Sequence, residues 1–274
     1  MKEIGPIVIG LIVFTAILIT MHQNGSLVGQ SQNLTQNQAL GPTVRGASTQ
    51  NNGAFSPYYG DVDIDDVIEP GTFAGSEYIK LESSTDEPIN ITGWSIVSEI
   101  TGNKAFIPNA SSIPLVESEK PIIINGYQKI ILSSGSSPIK ISFRENICTG
   151  YIEEKNLFNP SLYQRCPNID NGNLPARIED SDQCMSYINS LQTCKTPKSF
   201  PNIPSYCEDF IIENASYGGC VKNYKNYKDF YRDSWRIFLN SKTPLWKREK
   251  DGKNNQESLQ LLDAQGKIVD TFTY

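Results

Sequence analysis

The sequence predicts an all-β sandwich that carries a disulfide-bonded, mainly helical insertion and follows an N-terminal transmembrane helix. Three observations lead there. Short apolar runs of period two, punctuated by Gly, Pro, Asn and Ser, stand at both ends of the folded part. All six cysteines, Cys148, Cys166, Cys184, Cys194, Cys207 and Cys220, fall between those runs. An uncharged apolar stretch runs from Ile4 to Met21.

That stretch is just long enough to cross a bilayer, for which ~17–25 apolar residues are needed. A cleaved signal peptide is the competing reading, with Lys2 as its basic start. No A-x-A-like site follows the apolar run, however, and no cysteine lies near to take a lipid, so an uncleaved anchor over residues 1–22 is expected. Glu3 offsets Lys2, so orientation rests on the cysteines, which need an oxidising compartment. The expectation is a single-pass cell-membrane protein with its C-terminal bulk extracytoplasmic. Residues 23–60 are rich in Gln, Asn, Ser and Gly, with Arg45 as their one charge. Without a hydrophobic period they predict a flexible tether, with a root-mean-square span of roughly 35 Å as a coil.

The β unit begins with Asp61-Val62-Asp63-Ile64-Asp65, which alternates acidic and β-branched residues. Its D-x-D-x-D spacing does not continue into a calcium loop, since Asp66 and Thr72 stand where Gly and Glu are required. Glu77 to Leu81 places Ile79 and Leu81 on one face and Tyr78 and Lys80 on the other. Ile89-Asn90-Ile91 and Gly93-Trp94-Ser95-Ile96 follow, with Trp94 as the expected central plug. Further strands are expected at Ala105–Ile107, Pro121–Ile124, Ile130–Leu132 and Lys140–Phe143. At the far end, Leu259–Leu262 and Ile268–Phe272 flank a turn ending in Gly266-Lys267 and predict a hairpin. Such short strands must pair with those before the insertion. The predicted layout is thus 61–145 and 231–274 as two parts of one sandwich, with 146–230 inserted.

Six cysteines allow three disulfides in fifteen connectivities, and no pair has the C-x2-4-C spacing of a zinc module. Helices are expected over Ser181–Leu191, Ser205–Ile212 and from about Tyr217 to Lys228. Tyr217, Tyr224, Tyr227, Phe230, Tyr231 and Trp235 make the densest aromatic cluster, interleaved with Lys222, Lys225, Lys228 and Arg232. Their helical spacing favours packing of the insertion onto the sandwich. The same rings are the candidate partner surface, through Tyr224, Tyr227, Tyr231 and Trp235, joined by Trp246. Trp246 precedes the charge run Lys247-Arg248-Glu249-Lys250-Asp251-Gly252 and reads as an exposed loop or hairpin tip.

Glu77-Tyr78-Ile79-Lys80-Leu81-Glu82, Ile91-Thr92-Gly93-Trp94-Ser95-Ile96, Gln128-Lys129-Ile130-Ile131-Leu132 and Leu261-Leu262-Asp263-Ala264-Gln265-Gly266-Lys267-Ile268-Val269-Asp270 together resemble the lamin tail domain. The resemblance covers roughly 61–145 and 231–274. Membrane-anchored bacterial members with a Cys-rich insertion are the most similar, with Cys148-Thr149-Gly150-Tyr151 and Asp233-Ser234-Trp235-Arg236-Ile237-Phe238-Leu239 as further matching stretches. It implies an immunoglobulin-like β-sandwich serving as a binding or positioning module. It carries over no catalytic residues, and the insertion departs from the plain domain.

The net charge of -6 and sequence pI near 5.0 disfavour a phosphate-binding surface, so no nucleic-acid partner is expected. His22 is the only histidine, so the folded part cannot build a Ser-His-Asp, Cys-His or His-zinc arrangement. No cofactor and no metal is expected. The function predicted is non-enzymatic cell-surface binding or scaffolding, with the membrane held through residues 4–21 and a protein or envelope glycan as partner. The alternative is a carboxylate-dependent glycan hydrolase using a pair drawn from Glu145, Glu153, Glu154, Asp180 and Asp182.

Overall fold

Period-two alternation sets the strands, and the shared core they build sets everything else. The computed structural model describes residues 54–68, 73–169, 172, 174–246 and 256–274. The predicted anchor, most of the tether (23–53) and the charge run after Trp246 lie outside the described residues. Among those described, no helix is long and apolar enough to cross a membrane.

The strands are β1 (Val62–Ile68), β2 (Tyr78–Ser83), β3 (Ile89–Asn90), β4 (Ser95–Ser98), β5 (Lys104–Phe106), β6 (Ile123–Ile124), β7 (Lys129–Ser133), β8 (Phe143–Asn146), β9 (Tyr231–Phe238), β10 (Ser258–Leu262) and β11 (Ile268–Thr273). They form a five-stranded sheet in the order β1-β2-β7-β9-β8, a four-stranded sheet in the order β11-β10-β4-β5, and the pair β3-β6. One apolar core draws on all three: Ile79 and Leu81 from β2, Ile130 and Leu132 from β7, Ile96 from β4, Leu259 and Leu261 from β10, Ile89 from β3 and Ile124 from β6. Trp94 sits within it, its ring 5.5 Å from that of Tyr58. Tyr78 and Lys80 face away, as their alternation requires.

The segments on either side of the cysteines are interleaved in these sheets. β10 pairs with β4 as well as with β11. β9 lies parallel to β7 and antiparallel to β8, filling the place between them. The connection from β8 to β9 therefore begins and ends at neighbouring backbones: Asn146 faces Tyr231, and the Ile147 N–H donates to the Phe230 carbonyl at 3.0 Å.

That connection holds α1 (Gly150–Glu153), α2 (Ala176–Glu179), α3 (Asp182–Ser190), α4 (Ser205–Asn214) and α5 (Tyr217–Tyr224). Ser181 caps α3 by accepting from the Cys184 N–H, and Ser216 caps α5 by accepting from the Gly219 N–H. The disulfides are Cys148–Cys220, Cys166–Cys194 and Cys184–Cys207, and no described cysteine is free. Closing loops of 72, 28 and 23 residues, each contributes about 3–4 kcal/mol by restricting the unfolded chain. Cys148–Cys220 closes the neck of the insertion. A second cluster around Cys148, Tyr151, Cys166, Val221, Tyr224 and Phe230 forms beside it, and a third around Ile178, Cys184, Ile188, Cys207 and Ile211 forms among α2, α3 and α4. Gly150 has no substitute, since a Cβ there would lie 2.3 Å from Cys194 Sγ.

Several expectations are corrected. Trp246 is not at an exposed tip: its side chain is 0 % exposed and belongs to the main core. The buried carboxylate of Glu77 pulls it in by accepting from the Leu245 N–H. The strand expected from Lys140 starts only at Phe143, because Lys140 has φ 67, which no strand admits. The helix expected to reach Lys228 stops at Tyr224. Residues 54–60, assigned to the tether, join the fold: the Ile268 N–H donates to the Ala54 carbonyl and the Ser56 N–H to the Ile268 carbonyl, which covers the edge of β11.

Two predictions follow from this packing. Replacing residues 148–229 by an Asn-Gly turn, with Phe143 and Phe238 changed to Thr because the insertion covers them, leaves a soluble β protein. Denaturant unfolding of that product shows a single cooperative transition; a non-cooperative melt would mean that the sheets need the insertion. The second concerns Glu77, which is 0 % exposed. Burial raises its carboxyl above the ordinary 4.5, opposed by hydrogen bonds from the main-chain N–H groups of Leu245 and Trp246. The folded protein thus binds this proton more tightly than the unfolded chain. Stability is highest below the unfolded value and falls as pH rises through the raised one. Glu77→Gln therefore raises the melting temperature at about pH 8, and the gain vanishes below about pH 4. Melting curves across that range check it.

Candidate functional site

The outer face of the five-stranded sheet presents Arg232, Ser234, Arg236 and Phe238 from β9 and Phe143 and Glu145 from β8, as period two dictates. The insertion lies on this face. Phe143, Phe158 and Phe238 pack with ring centroids 5.8 to 6.4 Å apart, joined by Ile152 and Leu162. Beside this aromatic group a buried ion pair holds the insertion's backbone. Arg236 Nε donates to Glu145 Oε1, while Nη1 and Nη2 donate to the carbonyls of Pro160 and Ser161 at 2.8 and 2.7 Å. Glu145 Oε2 accepts from the Tyr163 N–H at 2.9 Å, and Oε1 also accepts from Ser234 Oγ at 3.1 Å. Glu153 accepts from the neighbouring Leu162 N–H at 2.8 Å.

Where this clamped segment meets the end of the sheet, a cleft of about 350 Å³ opens. Its floor is Phe238, Phe158, Ser133 and Gly135, and Pro138, Ser136, Phe73 and Leu157 form its sides. No lining residue is charged. Phe73 and Leu157 are 65 % and 92 % exposed, an unusual place for two large apolar side chains flanking an apolar hollow. The floor is close-packed for a local reason: a Cβ on Gly135 would stand 2.8 Å from the Cα of Gly75, so only glycine lets the two backbones meet. Ser134 Oγ donates to the Ala74 carbonyl at 2.5 Å, and Asn159 Nδ2 donates to the carbonyls of Gly75 and Ser76 at 3.4 Å, which ties sheet, insertion and the 73–76 segment into one wall.

The residues singled out from the sequence go elsewhere. Of the aromatic surface, Tyr224 is buried in the cysteine cluster, and Trp235 is buried in the main core, where its Nε1 donates to Gln128 Oε1 at 2.9 Å. With Trp246 also buried, only Tyr227 and Tyr231 remain at the surface. Helical spacing was the wrong frame for Trp235, because the chain turns from helix to strand between Tyr224 and Tyr231. Arg144 lies over the Tyr231 and Trp235 rings, and burial lowers its affinity for a proton.

Of the five carboxylates, Glu145 and Glu153 do come together, on the successive N–H groups of Tyr163 and Leu162, yet both serve the backbone. Glu154 accepts from the Thr196 N–H at 3.0 Å, and Asp180 and Asp182 are exposed. None of the five lines the apolar cleft. In the acidic stripe, burial, then Asp270, then Asp61 raise the Asp63 carboxyl, while Asp270 Oδ2 accepts from the Ile64 N–H at 2.7 Å. Among the described residues no group of three or more His, Cys, Asp or Glu is gathered to hold a metal ion.

Phe73, Leu157, Phe158 and Phe238, which define the cleft, were not singled out from the sequence. They come from three separate stretches and share no period. The one available signal is Leu157-Phe158, an apolar pair in an otherwise polar stretch. No protein-family model matches the chain, and no curated protein sequence matches it significantly.

The clamp makes a prediction of its own. Glu145→Ala leaves the Arg236 guanidinium buried without its counter-charge and costs about 3–5 kcal/mol of stability. Hydrogen exchange at the Leu162 and Tyr163 amides accelerates with it. Wild-type protection of those two amides would show that the pair does not hold the segment.

Proposed function

We propose that this protein is a non-enzymatic recognition module, held at the cell membrane by its N-terminal segment, with its folded part outside the cytosol. It takes an apolar side chain of a protein partner into the cleft between sheet and insertion. The cleft carries this reading: an uncharged hollow of about 350 Å³, with Phe73 and Leu157 on its rim, suits a single aromatic or long aliphatic side chain. Its two walls come from different parts of the fold that are fixed to each other, so little order is lost when the anchor enters. Three disulfides and the uncharged stretch over residues 4–21 support the compartment and the tether. Two sheets around one core, with Trp94 after the Gly93 turn and a closing hairpin at 258–273, support an immunoglobulin-like reading and the resemblance to the lamin tail domain. On that reading the sheets are the scaffold and the insertion supplies half of the binding surface.

A photo-crosslinking residue at position 157 of the full chain, expressed in its native cells, tests this. The expected result is one discrete adduct with another protein, which disappears on Phe73→Asp. Leu157 and Phe73 are exposed, so neither change threatens folding. No adduct, an adduct only with a second copy of the chain, or one indifferent to Phe73→Asp would overturn the proposal.

A further inference from the structure

A second surface of the insertion has a different chemistry. Two shallow depressions of about 480 and 220 Å³ flank α3, and both are lined by Tyr187 and Ser190, so they form one groove with Tyr187 between its halves. Around the ring stand Gln183, Ser186, Gln192 and Asn202, each exposed and uncharged, together with the apolar Ile203 in the larger depression and Leu191 in the smaller. Asp182 lines only the larger depression and Lys195 only the smaller, so the groove as a whole is electrically balanced.

The floor is held still. Tyr187 donates its hydroxyl to the Ser199 carbonyl at 2.6 Å, and its ring lies 6.0 Å from that of Phe200. Cys184 of α3 is bonded to Cys207 of α4, and Cys194 beyond the helix is bonded to Cys166.

We propose that this groove binds a neutral oligosaccharide. Side-chain amides offer both donor and acceptor from one planar group, and hydroxyls do so from one atom, which matches the paired hydroxyls of a sugar ring. An aromatic ring set among such groups adds an apolar surface for the C–H face of the sugar. An open, elongated hollow on both sides of one ring suits an extended chain, whereas a small compact ligand needs an enclosed pocket. Charge balance turns away anionic polymers, and a rigid floor lowers the ordering cost of a weak, polar ligand. The groove shares no residue with the apolar cleft, so the two sites stand or fall separately.

The full chain in lipid nanodiscs, free of sugar detergents, is titrated calorimetrically with chitohexaose, cellohexaose and mannohexaose. At least one binds, and Ser186→Arg, an exposed change that projects into the larger depression, weakens it at least about tenfold. Leu157→Asp, at the cleft, leaves that affinity unchanged. Absence of heat with all three hexaoses up to about 10 mM, or binding that Ser186→Arg does not affect, would overturn the assignment.

Discussion

The structure depends on one placement: β9 in the gap between β7 and β8. Strands β7 and β8 follow one another in the chain but are not neighbours in the sheet, and only β9 gives their inner edges backbone partners. Both faces of β9 are also covered. Trp235 and Ile237 point into the main core, and Arg236 and Phe238 point outward under the insertion. A buried arginine needs compensation, which Glu145 and two backbone carbonyls of residues 160–161 supply. The insertion is thus more than a long loop, since it covers the strand to which it leads.

This double duty explains the chemistry of the neck. Cys148–Cys220 and the Ile147–Phe230 hydrogen bond hold the departing and returning chain together, and Asn146, fully buried, donates to the Tyr217 hydroxyl while accepting from the Cys148 N–H. Burial drives that tyrosine's ionisation well above its ordinary range, so it stays a neutral partner. With the neck secured, the distal part around Cys184 and Cys207 has its own small core and makes few demands on the sheets.

Much of this was legible in the sequence, for identifiable reasons. Ile79 and Leu81, Ile130 and Leu132, and Leu259 and Leu261 have period two and are buried as it requires. The helices at α3 and α4 and the pairing of the last strands with those before the cysteines also follow from local pattern and from the instability of isolated short strands. What pattern could not reveal was anything set by contacts distant in sequence. Trp246 is followed by charges and so reads as surface, yet it is drawn inside by Glu77 from the opposite part of the chain. The disulfide pairing, in which the 166–194 and 184–207 loops interleave inside the 148–220 loop, depends on three-dimensional closure alone. The cleft is similar: Phe73, Leu157 and Phe238 meet only because Arg236 fixes the 160–161 backbone and Gly135 lets the 73–76 segment come close.

The division of labour follows from these constraints. Side chains facing the shared core answer to many neighbours at once, so a change there disturbs both sheets. The insertion must satisfy fewer conditions: adjacent ends, an apolar cover for Phe143 and Phe238, and carbonyls for Arg236. Beyond those its surface is free to vary in shape and chemistry at small cost to the fold. The two proposed sites fall where the insertion borders the sheet, at the apolar cleft, and where it stands clear of it, along α3.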